Sequence, residues 1–406
     1  MAAGCGLLLV VLASPADAHT NRSDFDGSLG YEVYTPTITQ SVVVNGQTSD
    51  LRYNHDCSDV LFGTEWITVW NGNQNRDEAK PGQLNYMATS SDRVNWSPPV
   101  VAFSGQASVN PVFCNATCMQ WQPNLVLLAT DGGRASLGCA WSQGHHGTDA
   151  EQTFWSVLDR SPAAGGRWVN RQLLFDGRAN KYIGGVRWMV YPTQNPVVLR
   201  SGRLLVPVTL EASNPMQRLA AVLISDDRGT TFVLGNGTGQ VGGWQSQWET
   251  TVWEPTDSAN STIVWMFDRN NSGAPALPPD QRMLYAKSTD AGLSFTTLQA
   301  VRAETVVSRM LVTALAGDLY MLVQNDWKTA VNRQHDRVNA AMWFNRGGGI
   351  NFVQGPGFAV GDPDSFYPQT FVDLNTNEAS ICYTGSGGIS SPVNMHCLSV
   401  SLSFYV

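Results

Sequence analysis

Three histidines are the side chains of this sequence best suited to transferring protons near neutral pH. His55 lies in the stretch 53–56, and His145 and His146 form an adjacent pair. Imidazole titrates close to neutrality, so each of the three can serve as a general acid or base. Alternatively, His145 and His146 lie on an outer loop and have no catalytic role. We therefore predict His55 as the first candidate acid or base, and His145 and His146 as the next.

Arginines supply the candidate sites for an anionic group. The chain as a whole has a formal net charge of −8 and only 14% charged residues. This balance disfavours nucleic acid and anionic membranes as partners. An anionic substrate would then need a local basic pocket, and Arg187, Arg269 and Arg309 are the candidates to form it.

An internal repeat indicates which elements must position these residues. Each unit begins with a polar or aromatic cluster, enters an apolar strand, turns, and enters a second apolar strand. The units recur about every 60 to 70 residues, which suits one four-stranded blade each. Six units predict an all-β, six-bladed β-propeller with antiparallel blades. A seventh blade within 72–83 or 160–187 is the alternative. The last unit lacks an outer strand, so we expect the segment 38–44 to supply it and close the ring.

The first residues of the inner strands should surround a central pocket near the propeller axis. They add polar and aromatic side chains to the histidines and arginines above. The alternative is that such residues line a channel that holds only water. The further candidates for substrate binding at these positions are Asn54, Gln122, Asn124, Tyr191, Gln194 and Trp248.

A turn motif occurs twice in full and once in a damaged form. The pattern Ser-x-Asp-x-Gly-x-x-Phe lies at 225–232 and 288–295, and a shortened copy without its glycine lies at 90–96. Glycine accepts a positive φ, and the aspartate carboxylate can accept hydrogen bonds from turn amides. The pattern resembles the Asp-box of sialidase-like β-propellers, which joins the third and fourth strands of a blade. The resemblance implies a stabilising turn on the outer rim and no catalytic role.

Two further stretches resemble sialidases. Residues 249–254 and 267–270 resemble the part in which a pocket Glu precedes a strand ending in a substrate-binding Arg, and residues 366–374 resemble the part that opens with the catalytic Tyr. The resemblance implies catalytic roles for Glu249 and Tyr367. Sialidases begin their first blade with Tyr/Phe-Arg-Ile-Pro, whose Arg binds the sialate carboxylate. The stretch 53–56 has a His and no Arg, so we expect a sugar other than sialic acid.

Residues 70–73 and 80–86 resemble secreted propeller lyases that cut at a uronate, notably the fungal rhamnose–glucuronate lyases. In that group an Arg neutralises the carboxylate and a His or Tyr moves the proton. The resemblance implies β-elimination in an acidic polysaccharide, which is the first hypothesis. The second is a retaining exo-hydrolase, sialidase-like or exo-arabinanase-like, that uses Tyr367 and Glu249 with Asp56 or Glu211 as the acid. The third is a glycan-binding propeller without catalysis.

The N-terminus indicates secretion. An apolar run at 6–13 followed by Ala-Asp-Ala at 16–18 predicts a signal peptide over 1–18, which leaves a single propeller domain over 19–406. Six Asn-x-Ser/Thr sequons agree with a secreted glycoprotein. We expect a monomer without a cofactor, and the sequence leaves a structural calcium open. The sequons are Asn21, Asn95, Asn115, Asn236, Asn260 and Asn270.

The cysteines also indicate a secreted protein. Six of the seven lie after the signal peptide, and an even number in a secreted chain favours disulfides. No Cys-x-x-Cys spacing suggests zinc. Other pairings stay open, but the ones we expect are Cys114–Cys118, Cys382–Cys397 and Cys57–Cys139.

Overall fold

The computed structural model describes most of the chain between residues 38 and 401, and the statements below refer to that part. Within it, the only helix is a short 3-10 turn at Pro162–Ala164, and no helix is long and apolar enough to cross a membrane. The described residues are 38–46, 49–75, 78, 80, 82–103, 119–129, 135–144, 152–176, 182–183, 186–187, 189–213, 216–236, 247–256, 262–270, 283–301, 307–315, 317–325, 340–357, 364–373, 376, 378–386 and 393–401.

Antiparallel sheets form a six-bladed β-propeller, as the repeat predicts. The first strand, β1 (Ile38–Val44), precedes the blades. Blade 1 contains β2 (Tyr53–Phe62), β3 (Glu65–Asn73), β4 (Leu84–Ser90) and β5 (Val100–Val101). Blade 2 contains β6 (Met119–Ala129), β7 (Ala135–Gly144), β8 (Gln152–Leu158) and β9 (Val169–Asp176), followed by a ribbon of β10 (Tyr182–Ile183) and β11 (Val186–Arg187).

The remaining blades follow the same order from inner to outer strand. Blade 3 contains β12 (Met189–Pro192), β13 (Val197–Val198), β14 (Leu204–Ser213), β15 (Met216–Ser225) and β16 (Val233–Leu234). Blade 4 contains β17 (Gln247–Trp253), β18 (Val264–Asn270), β19 (Met283–Ser288) and β20 (Gln299–Ala300). Blade 5 contains β21 (Leu311–Ala314), β22 (Leu319–Asn325), β23 (Ala340–Arg346) and β24 (Val353–Gly357). Blade 6 contains β25 (Asp364–Asp373), β26 (Glu378–Ser386) and β27 (Val393–Ser401).

The strand β1 closes the ring. It pairs with β27, with Ile38 opposite Val400 and Ser41 opposite Cys397, and so becomes the outermost strand of blade 6. This confirms the expected closure, which gives blade 6 four strands and joins the two ends of the propeller in one sheet. The described parts of 72–83 and 160–187 belong to a loop, to β9 and to the small ribbon, so they form no seventh blade.

The hydrophobic core lies between neighbouring blades. One cluster joins blades 2 and 3 through Trp155, Leu204 and Val206, and another joins blades 5 and 6 through Met342 and Ile381. Each sheet buries both faces, which explains why strands such as β2, β3 and β7 are almost continuously buried. Burial of this kind is the main favourable contribution to folding.

The Asp-box motifs lie between β4 and β5 in blade 1, between β15 and β16 in blade 3, and between β19 and β20 in blade 4. In blade 3, Asp227 accepts a hydrogen bond from the Thr231 amide (2.7 Å), and Ser225 accepts one from the Gly229 amide (2.7 Å). Both Arg228 and Gly229 have positive φ, 58° and 87°. A side chain on Gly229 would collide with Trp155 of blade 2. The turn of blade 3 therefore packs directly against blade 2.

The damaged copy in blade 1 forms the same turn without glycine. Asp92 accepts hydrogen bonds from the amides of Val94 and Asn95, both at 2.8 Å, and Arg93 takes a positive φ of 58°. These hydrogen bonds, of which the one from the Asn95 amide has the largest effect, hold the pKa of Asp92 well below its usual range. The carboxylate therefore determines this turn more than the glycine does.

The cysteine predictions divide into three outcomes. Cys382 and Cys397 lie opposite each other on β26 and β27 and form a disulfide, as expected. The predicted Cys57–Cys139 disulfide is wrong: both are buried free thiols, and burial raises their pKa. Cys57 packs in the cluster with Cys382, towards blade 6, whereas Cys139 packs between blades 1 and 2. Cys114 and Cys118 lie outside the described residues.

Three sequons within the described residues differ in their accessibility. Asn95 and Asn236 are exposed, whereas Asn270, at the end of β18, is fully buried. A glycan on Asn270 would have to be accommodated in the protein interior, so the fold disfavours that sequon.

Asp59 gives a pH-dependent stability that can be tested. The side chain is fully buried, and burial raises its pKa to about 6 although Ser380 and Arg93 act to lower it. Between pH 4 and 6 the unfolded chain ionises this carboxyl while the folded protein keeps it protonated, so stability falls as pH rises, by roughly 3 kcal/mol. We expect Asp59→Asn to remove this loss. The free energy of unfolding of the variant, minus that of the wild type, should therefore rise from pH 4 to pH 7; a constant difference would contradict the assignment.

Candidate active site

Four blades share a backbone irregularity near the start of the inner strand. Asp56, Gln122, Glu249 and Tyr367 have φ between 50° and 57°, and the strand register shifts at each of them. Positive φ is uncommon for residues other than glycine, and strained backbone of this kind concentrates at functional sites. A β-bulge also turns a side chain away from the regular alternation of a strand. Three of the four residues are the acidic and phenolic candidates of the sequence.

Contacts between distant blades show that these residues lie near the axis. Arg269 of blade 4 reaches Tyr367 of blade 6, and Arg309, just before the first strand of blade 5, reaches Asp56 of blade 1. Blades that are not neighbours in the ring can touch only around its centre. The four bulges and two arginines therefore surround one central site.

One guanidinium nitrogen joins the two catalytic candidates. Arg269 Nη1 donates to Glu249 Oε2 (2.6 Å) and to the Tyr367 hydroxyl (3.1 Å). All three side chains are less than a tenth exposed. Burial disfavours the charge on Arg269, but Glu249 and Tyr367 outweigh it and raise the pKa of the guanidinium. This arrangement places a carboxylate beside a phenol and stabilises negative charge on the phenol oxygen.

A second ion pair lies beside the first. Arg309 Nη1 donates to Asp56 Oδ1 (2.8 Å), and the Arg309 side chain is only 1% exposed. His55 packs the edge of its ring against Tyr367 (centroids 4.2 Å apart), and its Nδ1 lies 3.1 Å from Thr384 Oγ1. The structure thus brings together His55, Tyr367, Glu249, Arg269 and Arg309 of the predicted site.

The sequence did not identify Glu78. This exposed residue lies in the connection between β3 and β4, and its carboxylate lies within 4.8 Å of a ring nitrogen of His55 and a carboxylate oxygen of Asp56. Two carboxylates and an imidazole are ligand types that bind divalent cations. However, Asp56 already holds the Arg309 guanidinium, which opposes a second cation, so we assign no metal there. No motif signals Glu78, since only the fold brings this connection over His55.

Several predicted binding residues support the pocket from within. Asn54 accepts a hydrogen bond from Trp70 (2.8 Å) and donates to the Leu51 carbonyl (2.9 Å). Asn124 donates to the Pro192 carbonyl (3.3 Å) and accepts from Gln369 (3.2 Å). Gln194 donates to the Met310 carbonyl of blade 5. Asn54 therefore ties β2 to β3 within blade 1, whereas Asn124 and Gln194 link the inner parts of different blades.

Other predicted residues differ in their exposure. Tyr191 is buried, and its hydroxyl contacts the Met189 sulfur at 3.7 Å. Gln122 is partly buried at its bulge. Trp248, next to Glu249, is also partly buried, and the Arg218 guanidinium stacks on its ring at 3.9 Å.

The other proton-transfer and cation candidates stay untested. His145 and His146 lie outside the described residues. Arg187 ends the short strand β11, opposite Tyr182, and only its backbone is described.

Comparisons with known proteins identify the fold of the chain but assign it to no family. No family model and no curated protein matches the chain. A solved protein of unknown function from Dyadobacter fermentans is 16% identical over 90% of this chain and 98% of its own, with a TM-score of 0.65. Trypanosoma rangeli sialidase is 10% identical over 86% of this chain, with a TM-score of 0.64, and the match spans 55% of that protein. The NanB sialidase of Streptococcus pneumoniae is 10% identical over 89% and 71% of the two chains, with a TM-score of 0.62. At these identities, the likeness establishes the propeller fold.

Proposed function

We propose that this protein is a retaining glycoside hydrolase that removes a terminal sugar from a glycan. The observation that carries the proposal is the shared contact of Glu249 and Tyr367 with Arg269 Nη1 at the propeller axis. A nucleophile that is held beside a base and a cation is the arrangement that covalent catalysis requires. The sialidase names of two structural neighbours support the same reaction class.

Tyr367 is the proposed nucleophile. Glu249 accepts the phenol proton as the oxygen attacks the anomeric carbon, and Arg269 stabilises the charge that develops on that oxygen. Water then attacks the anomeric carbon, the tyrosine oxygen leaves and takes back its proton from Glu249, and the sugar is released with its original anomeric configuration.

The acid that protonates the leaving group must be a carboxyl close to the reacting bond. Asp56 and Glu211 were the expected candidates. The structure pairs Asp56 with Arg309 at 2.8 Å and Glu211 with Arg218 at 2.9 Å, so a guanidinium already holds each carboxylate. Glu78 lies beside Asp56 on the exposed side of the pocket. Because this exposed position places its carboxylate close to the proposed reacting centre and accessible to a leaving group, we assign the acid role to Glu78.

Elimination is less well supported than hydrolysis. A uronate lyase needs a cation that reaches the substrate carboxylate. Of the predicted cations with described side chains, Arg269 holds Glu249 and Tyr367, and Arg309 is 1% exposed. His55 could still transfer a proton, so an experiment on the reaction type must also detect elimination.

The reaction type can be tested on a panel of oligosaccharides with different terminal sugars. We expect release of a reducing sugar, and proton NMR at early times should show retention of anomeric configuration. Absorbance should not rise at about 235 nm, where conjugated unsaturated uronates absorb. A rise in absorbance that is lost in His55→Ala would overturn hydrolysis in favour of elimination. Binding without any product would favour a lectin.

Glu78→Gln tests the acid. The variant should lose about 10²-fold or more in kcat on natural linkages, because an amide cannot donate the proton. Aryl glycosides with a good leaving group need little protonation, so their rate of glycosyl–enzyme formation should change far less. Asp318→Asn, at an exposed ion pair in blade 5, is the matched control. Equal losses on both substrate types would remove Glu78 from the acid role.

The cellular setting of this activity is also a proposal. We propose that the protein is secreted, and the Cys382–Cys397 disulfide supports this because disulfides persist in oxidising compartments.

A further inference from the structure

The charges around the pocket carry information about the sugar that it accepts. The expectation of an acidic substrate depended on arginines that bind a carboxylate. An arginine can do so only if its guanidinium is accessible and its charge is not already neutralised by the protein.

Arg269 already has an anionic partner. Its Nη1 donates to Glu249 at 2.6 Å and to Tyr367 at 3.1 Å. Asp268, adjacent in sequence, is fully buried, and burial raises its pKa and so favours its neutral form. A substrate carboxylate beside this guanidinium would also face the charge of Glu249 and would be repelled by it.

Arg309 is neutralised and closed off. Asp56 accepts its Nη1 at 2.8 Å, and the ring of Tyr367 lies 5.5 Å from the guanidinium carbon. Its Nε and Nη2 are buried from solvent and have no hydrogen-bond partner among the described residues. A sugar carboxylate could reach them only by displacing the surrounding side chains.

The exposed side of the pocket adds negative charge. Glu78 lies there, next to Asp56 and His55. Glu249, Asp56 and Glu78 are thus acidic groups that lie beside Arg269 and Arg309. Like charges at this distance in a partly buried site repel strongly. The whole chain, at −8, adds to the repulsion of anions.

We infer that the pocket accepts a terminal sugar without a carboxylate, an uncharged glycone recognised through its hydroxyl groups. This inference rests on the proposed function for the place of the glycone, beside Tyr367. Buried carboxylates and a guanidinium are strong partners for sugar hydroxyls, because charged groups make the stronger hydrogen bonds. The inference replaces the acidic substrate expected from the sequence.

The test uses oligosaccharides in matched pairs that differ only in charge at the terminal sugar. Suitable pairs are glucuronate and its carboxyl-reduced glucose form, galacturonate and its galactose form, and sialate and its methyl ester, with terminal arabinofuranose as a further neutral sugar. Both hydrolysis and equilibrium binding are measured on the full chain. We expect the neutral member to be at least tenfold better in any pair that is bound. Equal or better binding of the acidic members, or binding of none of the sugars, would overturn the inference.

These outcomes separate the two proposals. A neutral sugar that binds but is never hydrolysed would refute the proposed function and leave the inference standing. An acidic sugar that is hydrolysed with retention would refute the inference and leave the proposed function standing.

A pair of variants tests the cause. Asp56→Asn removes the carboxylate from Arg309, and the preference should shift towards the acidic sugar by at least fivefold. Asp226→Asn removes a similar carboxylate from Arg203 on the outer rim (2.6 Å) and should not shift it. If Asp56→Asn fails to fold, the exposed Glu78→Gln should produce a shift in the same direction. An unchanged preference in the folded variants would contradict the electrostatic explanation.

Discussion

Tyr367→Phe should abolish most glycoside hydrolysis while the fold is retained. The substitution removes the attacking oxygen, and loss of a nucleophile typically costs about 10³-fold or more in kcat. The ring stays, with its edge contact to His55, and Arg269 keeps Glu249 at 2.6 Å. Substrate binding should therefore change little. The measurement is kcat and KM with aryl glycosides, together with the thermal unfolding midpoint.

Matched variants make this result specific. Tyr285→Phe removes another phenol hydroxyl, which donates to Gln299 in the outer part of blade 4, and should keep wild-type kcat. Glu249→Gln should lose about 10² to 10⁴-fold, because the base is gone. Should Tyr367→Phe retain activity within tenfold of the wild type, another group must be the nucleophile. A trapped glycosyl–enzyme should carry its label on Tyr367.

Leu204→Asp should prevent stable folding. Leu204 is fully buried between blades 2 and 3, in the cluster that includes Trp155 and Val206. The change removes core packing and buries a carboxylate without a cation, at a cost of about 4 kcal/mol or more. Domains are typically stable by only about 5–15 kcal/mol. Urea unfolding followed by tryptophan fluorescence measures the loss.

The control lies directly opposite on the neighbouring strand. Val198 pairs with Leu204 across β13 and β14 but is 43% exposed. Val198→Asp should change stability by only about 0.5 kcal/mol, since its charge stays in water. Equal destabilisation by the two changes would show that strand pairing, and not burial, determines the effect.

Local patterns were enough to predict the architecture. The Asp-box turn depends on residues within one turn, such as Ser225 and Asp227, so its sequence specifies it. The blade count follows from a repeat, and the closing strand from a missing outer strand in the last unit. The Cys382–Cys397 pair was predictable because it joins neighbouring strands. Cys57 and Cys139 face different blade interfaces, which nothing in their spacing reveals.

The candidate site could be predicted only in part. The resemblance identified Glu249, Arg269 and Tyr367, which the structure brings together. It could not show that Asn54, Asn124 and Gln194 hold strands together, because their partners lie on other strands or blades. Nor did it indicate Glu78, whose position depends on how one connection lies over the pocket.

The sequence by itself determined a closed ring of blades and the strand starts that face its axis, because both depend on contacts close along the chain. Only the tertiary structure decided which charges meet. Asp56 and Arg309 are 253 positions apart, yet lie 2.8 Å from each other. That pairing, with Glu249 on Arg269, neutralises the arginines on which the acidic substrate depended. Electrostatic interactions depend on distance in space, so no count or spacing of charged residues could have predicted it.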